Sequence, residues 1–156
     1  MKALETLARF CAIVAGLLLT LITIMTCASV FGREVLGKPL VGDFELAGVL
    51  AGAAIALFMP LCQIKRGNII VDFFTSKASD TTNARLDSLG ALLVAAVMLL
   101  LAWRTSVGGI SAYGNQSGSM ILGFPEWITY SLMVPPFVLT ALIALAQSVS
   151  SKRPSA

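Results

Sequence analysis

The sequence predicts an all-α integral membrane protein of four transmembrane helices with both termini on the cytoplasmic side. Three observations carry that prediction. Four apolar stretches can each supply about 20 residues, the length an α-helix needs to cross a hydrocarbon core. The 156-residue chain is 57% hydrophobic and 12% charged, with a mean hydropathy of +0.89, too little polar material to clothe a soluble domain. Its basic residues are also unevenly placed. With four spans, Lys2, Arg9, Lys65, Arg66, Lys77, Arg85, Lys152 and Arg153 share one side, and Arg33, Lys38 and Arg104 fall on or near the other. Cytoplasmic loops carry the excess of Lys and Arg, so the first side is cytoplasmic. The net charge of +3 is thereby accounted for by topology and membrane lipid, with no need for nucleic acid.

A single membrane domain over 1–156 is expected, with helices at about 10–32, 44–64, 86–113 and 125–147. Residues 1–9 form a short amphipathic lead-in, Leu4, Leu7 and Ala8 on one face and Lys2, Glu5 and Arg9 around it, suited to the headgroup region. The first helix is read as a retained span, since it is too long for a signal peptide and has no cleavage site followed by a polar chain. Its threonines, Thr20, Thr23 and Thr26, can bond back to helix carbonyls and so cost little in lipid. Gly37 and Pro39 stop it, Asp43 is a candidate N-cap for the second helix, and Glu45 sits in that helix's first turn, where the dipole favours an acid. The second helix carries Gly48 and Gly52 four apart, followed by Ala53, Ala54 and Ala56, a small-residue run suited to close helix approach. Pro60 should kink it.

Between the second and third helices, residues 69–74 are too short to span and too apolar for water, so an interfacial segment containing Asp72 is expected there. Ser79, Asp80, Thr81 and Thr82 supply N-cap candidates for the third helix. Arg104 follows Trp103 toward that helix's outer end, where it can snorkel to the interface or pair with Glu34, Glu45 or a partner subunit. Gly108 and Gly109, with residues 113–119, are expected to form a flexible external loop. Pro125 then opens the fourth helix, with Trp127 and Tyr130 as interfacial anchors, and Pro135-Pro136 should bend it.

The same residues narrow the function. Charges are expected at the ends of the spans and not in their middles, whereas transporters that work alone place charged or strongly polar groups at mid-membrane. Cys11, Cys27 and Cys62 form no CxxC pair and read as small buried apolar residues, and histidine is absent. No cofactor or metal ligand set is evident, so no enzyme is expected. A self-sufficient small transporter and, behind it, a four-helix membrane redox enzyme stand as alternatives.

The order of features then carries a resemblance. Val30-Phe31-Gly32-Arg33-Glu34-Val35-Leu36-Gly37-Lys38-Pro39-Leu40 closes the first helix, and Glu45 starts the second. Lys65-Arg66-Gly67-Asn68-Ile69-Ile70-Val71-Asp72 follows it, and Leu122-Gly123-Phe124-Pro125-Glu126-Trp127 opens the fourth. From about residue 10 to 146 the chain resembles the small membrane subunit, the DctQ-like family, of tripartite ATP-independent periplasmic (TRAP) transporters. It departs from the family pattern at Glu34, Phe44 and Asn68. The resemblance implies a scaffold in the bacterial inner membrane, packed beside a large transmembrane permease subunit that carries the sodium and substrate sites. A periplasmic solute-binding protein would deliver an organic acid to the pair. Arg33, Glu45, Gly48, Gly52, Asp72, Arg104 and Pro125 are the candidates for architecture or subunit contact.

Overall fold

The computed structural model describes residues 2–38, 40–67 and 80–150, which form four helices: α1 (Lys2–Leu36), α2 (Asp43–Ile64), α3 (Asp80–Gly114) and α4 (Glu126–Ser150). All four are long and apolar enough to cross a membrane. The expected interfacial segment at 69–74, with Asp72, lies outside the described residues.

The first helix is longer than expected. The lead-in is not a separate element but the first two turns of a continuous 35-residue helix. No glycine precedes Gly16 and no proline precedes Pro39, so nothing breaks the run, and Arg9 pairs with Glu5 at 2.7 Å one turn away. At about 52 Å it exceeds the roughly 30 Å hydrocarbon core and must tilt or project beyond it. Its C-terminus follows the expected chemistry: Gly37 adopts φ +68°, and the Lys38 amide donates to the Gly32 carbonyl at 3.3 Å. Helix α3 likewise starts early, taking Asp80 to Thr82 into its first turn. It also runs past Gly108 and Gly109, which are helical and not part of a loop. Their missing side chains make room for Tyr130 of α4: a Cβ on Gly109 would lie 3.0 Å from Tyr130 Cβ.

The helices stand in the order α1, α2, α4, α3, each packed against its neighbour. Helix α1 barely touches α4, and neither α1 nor α2 approaches the α3 backbone. The result is an open row rather than a four-cornered bundle. Apart from Leu57, Phe137, Ile143 and the helix prolines Pro60 and Pro136, the buried apolar side chains among the described residues are all alanines, which let backbones approach closely where lipid removes the hydrophobic drive. One cluster joins Ala15 of α1 to Ala54 and Leu57 of α2. A second gathers Ala56, Ala102 and Phe137, with Met59, Met98 and Met133 filling around them. Gly48 and Gly52 take no part, because among the described residues no other element comes within 4 Å of a Cβ placed on either. Cys27 and Cys62 are exposed rather than buried, and Cys11 is half-buried. A thiol is apolar enough to face lipid.

Polar contacts tie the helices at two levels: the loop end, where the α1–α2 and α3–α4 loops lie, and the terminus end, where α1 begins and α4 finishes. At the terminus end the Gln147 amide donates to the Gln63 and Ile64 carbonyls at 2.9 and 3.4 Å and accepts from Gln63 Nε2 at 2.8 Å. The Gln63 carbonyl also accepts the Arg66 amide at 3.1 Å, and both carbonyls belong to the last turn of α2, beyond the reach of its i→i−4 ladder. Buried Ser88 of α3 donates to the Ser148 carbonyl at 2.9 Å. Arg66 and Asp87, both well exposed, approach only to 3.9 Å and add little. Helices α2 and α3 both end in Schellman turns whose left-handed position holds a side chain, Arg66 at φ 49° and Gln116 at φ 50°.

Gly109→Leu should overpack the α3–α4 contact, at a cost of about 1–3 kcal/mol, and lower the thermal unfolding midpoint in detergent. Gly52→Leu should leave that midpoint unchanged in the isolated chain. Equal effects from the two substitutions would contradict the packing described.

Candidate functional site

The densest polar arrangement lies at the loop end and is built around the start of α2. Glu45, in the first turn, directs its carboxylate across to the α3–α4 loop: Oε1 accepts from the Ile121 amide at 2.9 Å and Oε2 from the Leu122 amide at 3.1 Å. Dipole stabilisation alone would leave those oxygens to solvent. Here they satisfy two loop amides 76 and 77 residues away in sequence. Hydrogen bonds to an ionised acceptor are the stronger kind, so the contact works as a clamp.

The loop it holds is ordered by its own bonds, contrary to the flexible loop expected. Gly118 and Pro125 form an isolated antiparallel bridge, Ser119 and Phe124 exchange backbone and hydroxyl contacts at 3.0 and 3.1 Å, and Glu126 donates its amide to Ser117. Gly123 supplies φ +62° at the turn, and a Cβ on Gly118 would meet the Gly123 carbonyl at 3.1 Å. Pro125 sits one residue before α4 rather than within its first turn.

The α1–α2 loop joins the same clamp. The expected N-cap, Asp43, is instead the first helical residue, and Gly42 takes the cap position at φ 80° without a side-chain bond. Asp43 is turned toward α1, where Oδ2 accepts from the buried Ser29 hydroxyl and Oδ1 from the Phe44 amide at 2.8 Å. Ser29 also accepts from the Leu40 amide at 3.3 Å. Gly42 is doubly constrained, since a Cβ there would run into the Leu122 side chain of the clamped loop. One short segment of α2 thus fastens both loops.

Of the residues singled out from sequence, the structure brings Glu45 and Pro125 to this cluster. Arg33 is exposed in the last turn of α1, near enough for its charge to act on Asp43. Gly48 and Gly52 open outward from α2. Arg104 is exposed on α3 and makes no contact with Glu34 or Glu45. Ser29, Gly42, Gly109, Gln63 and Gln147 emerged only from the structure. Two buried or near-terminal glutamines at the ends of apolar spans were the one signal that could have marked the terminus-end tie.

Beside the clamp, α3 and α4 enclose an open cleft of about 460 Å³, lined by Thr105, Gly109, Tyr113, Trp127, Tyr130 and Val134. Tyr113 and Trp127 meet edge to face with ring centroids 5.8 Å apart, which marks an interfacial aromatic level at the loop end. Among the described residues, no group of three or more Cys, Asp or Glu side chains is placed to hold a metal ion.

Four helices long and apolar enough to cross a membrane, fastened to one another at both ends, are the architecture of a multi-pass membrane protein. The family model for the DctQ component of tripartite ATP-independent periplasmic transporters matches residues 22–153. The chain belongs to that family, and so is the small component of a TRAP transporter. Neither the curated proteins nor the solved structures yield a match to it.

Glu45→Ala should speed hydrogen exchange at the Ile121 and Leu122 amides by about tenfold while leaving amides in the middle of α4 unaffected. Mass-resolved exchange in detergent reads both. Unchanged protection at 121 and 122 would remove the clamp from the account.

Proposed function

We propose that the chain is the scaffold subunit of a sodium-coupled uptake system for organic acids. In this reading it packs beside a large permease subunit in the bacterial inner membrane, with the termini in the cytoplasm and the loop end in the periplasm. A periplasmic solute-binding protein supplies the substrate. Family membership carries the tripartite assignment. The scaffold role draws support from the open helix row, in which α1 and α3 do not pack together, and which presents broad apolar faces for a partner. The excess of basic residues at the terminus end supports the orientation.

The proposed division of labour leaves solute selection to the binding protein and permease. The small subunit supplies a wide, stiff surface against which the moving parts of the permease can work. Arg33, Glu45, Gly48, Gly52, Arg104 and Pro125 remain the proposed contributors to architecture or subunit contact, with Asp72 proposed from sequence alone.

Purification of the tagged chain from membranes expressing the whole system should bring down the large permease at a fixed ratio, and uptake should vanish when either is deleted. Solute transport by this chain alone in liposomes would sink the scaffold reading. Glu45→Ala is expected to lower uptake and complex yield several-fold, with the solute affinity of the binding protein unchanged. Wild-type uptake and yield in that variant would exclude Glu45 from assembly.

A further inference from the structure

Arg104 departs from the expectation that every charge sits at a span end. Helix α3 continues from residue 104 to Gly114, ten residues or about 15 Å at 1.5 Å per residue. Tyr113, at the aromatic level that Trp127 shares, is nearly as far. In the other direction, Asp87 is 17 residues or about 25 Å away. With the Tyr113–Trp127 pair marking the loop-end interface, Arg104 stands about 13 Å inward from it, within a hydrocarbon core of about 30 Å. Between Asp87 and Gly114 it is the one charged residue of α3.

It also faces away from its own chain. The side of α3 that meets α4 carries Ala95, Ala102, Gly109 and Ala112, all buried or packed. At helical spacing, Arg104 falls on the opposite side, in line with Leu86, Leu93, Val97 and Leu100, each 45–60% exposed. No hydrogen bond or ion pair reaches its guanidinium among the described residues. Snorkelling is a poor remedy here. A helical side chain leaves its Cα toward the helix N-terminus, which for α3 is away from the nearer surface at the loop end. An uncompensated arginine at this depth is costly, and the usual compensation is a charge partner.

We propose that this outward face of α3 is the docking surface for a transmembrane helix of the large permease subunit, and that Arg104 pairs there with an Asp or Glu carboxylate at matching depth. The proposal rests on the small-subunit reading above. Charge complementarity argues for that occupant: an apolar stripe interrupted by one fixed cation fits a helix that is apolar apart from one acid. Arginine's planar fork suits a two-point grip on a carboxylate, which would set both the depth and the rotation of the partner helix.

The test is copurification of the permease from membranes containing the complete system. Arg104→Leu should cut the permease-to-chain ratio about tenfold or more, because it leaves a buried acid unpaired on the partner, and Arg104→Lys should retain much of it. Arg104→Glu should fail until the matching acid of the permease is changed to Lys or Arg. A permease-to-chain ratio unchanged in Arg104→Leu overturns the proposal. It is overturned equally if that variant keeps the permease but sheds bound anionic phospholipid, or loses only self-association. Leu100→Cys, in a chain with Cys11, Cys27 and Cys62 replaced by Ala, keeps Arg104 and guards against a folding artefact. It should crosslink to the permease, whereas Ile24→Cys on α1 serves as the comparison, and absence of a crosslink from position 100 also overturns the proposal. If the wild-type chain brings down no permease at all, the small-subunit reading itself has failed, and this pairing falls with it.

Discussion

A helix surrounded by hydrocarbon gains little by burying a leucine against its neighbour, because lipid is as apolar as the leucine. Helices in this setting are held by close contact between small side chains and by polar groups that have nowhere else to bond. Both kinds of contact organise this chain. Alanines 53, 54 and 56 bring α2 against its two neighbours, and Gly108 and Gly109 admit Tyr130 between α3 and α4. The large residues are turned outward, the reverse of a soluble core: Phe10, Ile13, Leu17 and Ile24 of α1 are all more than 60% exposed.

Polar contacts at the two ends of α2 complete the architecture. Glu45 and Asp43 fasten the loop end, and Gln63 with Gln147 fastens the terminus end. Between them α2 is apolar and packs by shape alone. Because α2 contacts α1 on one side and α4 on the other, its two ends control the whole row. A shear of α4 along α2 would have to break the glutamine tie, and a splaying of the loops would have to break the Glu45 clamp. That arrangement resists relative sliding without needing a buried ion pair, whose desolvation cost in lipid would be high.

Much of this was legible in the sequence. Four spans were evident because spanning length and apolarity are local properties of each stretch. The stop at Gly37 was legible for the same reason, since a left-handed position selects glycine. What escaped was everything that depends on a second element. The Gly108-Gly109 pair reads as a loop by composition, and only the position of Tyr130 makes it a packing site. Glu45 in a first turn is sufficiently explained by the helix dipole, so its partners in a loop 76 residues onward gave no local sign. Ser29 and Gly42 carry no signature at all until Asp43 and Leu122 are placed beside them.

The open row also explains how Arg104 can stand within an apolar span and still face away from the other three helices. In a closed bundle, an intramembrane arginine would point inward, toward water or a buried acid. Here the helices stand in an open row, and the contacts between neighbours are filled largely with alanine and methionine. A polar residue that cannot be accommodated between the helices must stand on the outside of the row, where only lipid or another protein can meet it. Small residues and polar ties make the chain self-consistent at its interior contacts, while the outer face of α1, the Gly48–Gly52 side of α2 and the Arg104 side of α3 are left without a counterpart among the described residues. For a component of a larger transporter, those unmatched surfaces are where its physical chemistry is unfinished, and the Arg104 face is the one where a fixed charge interrupts the apolar stripe.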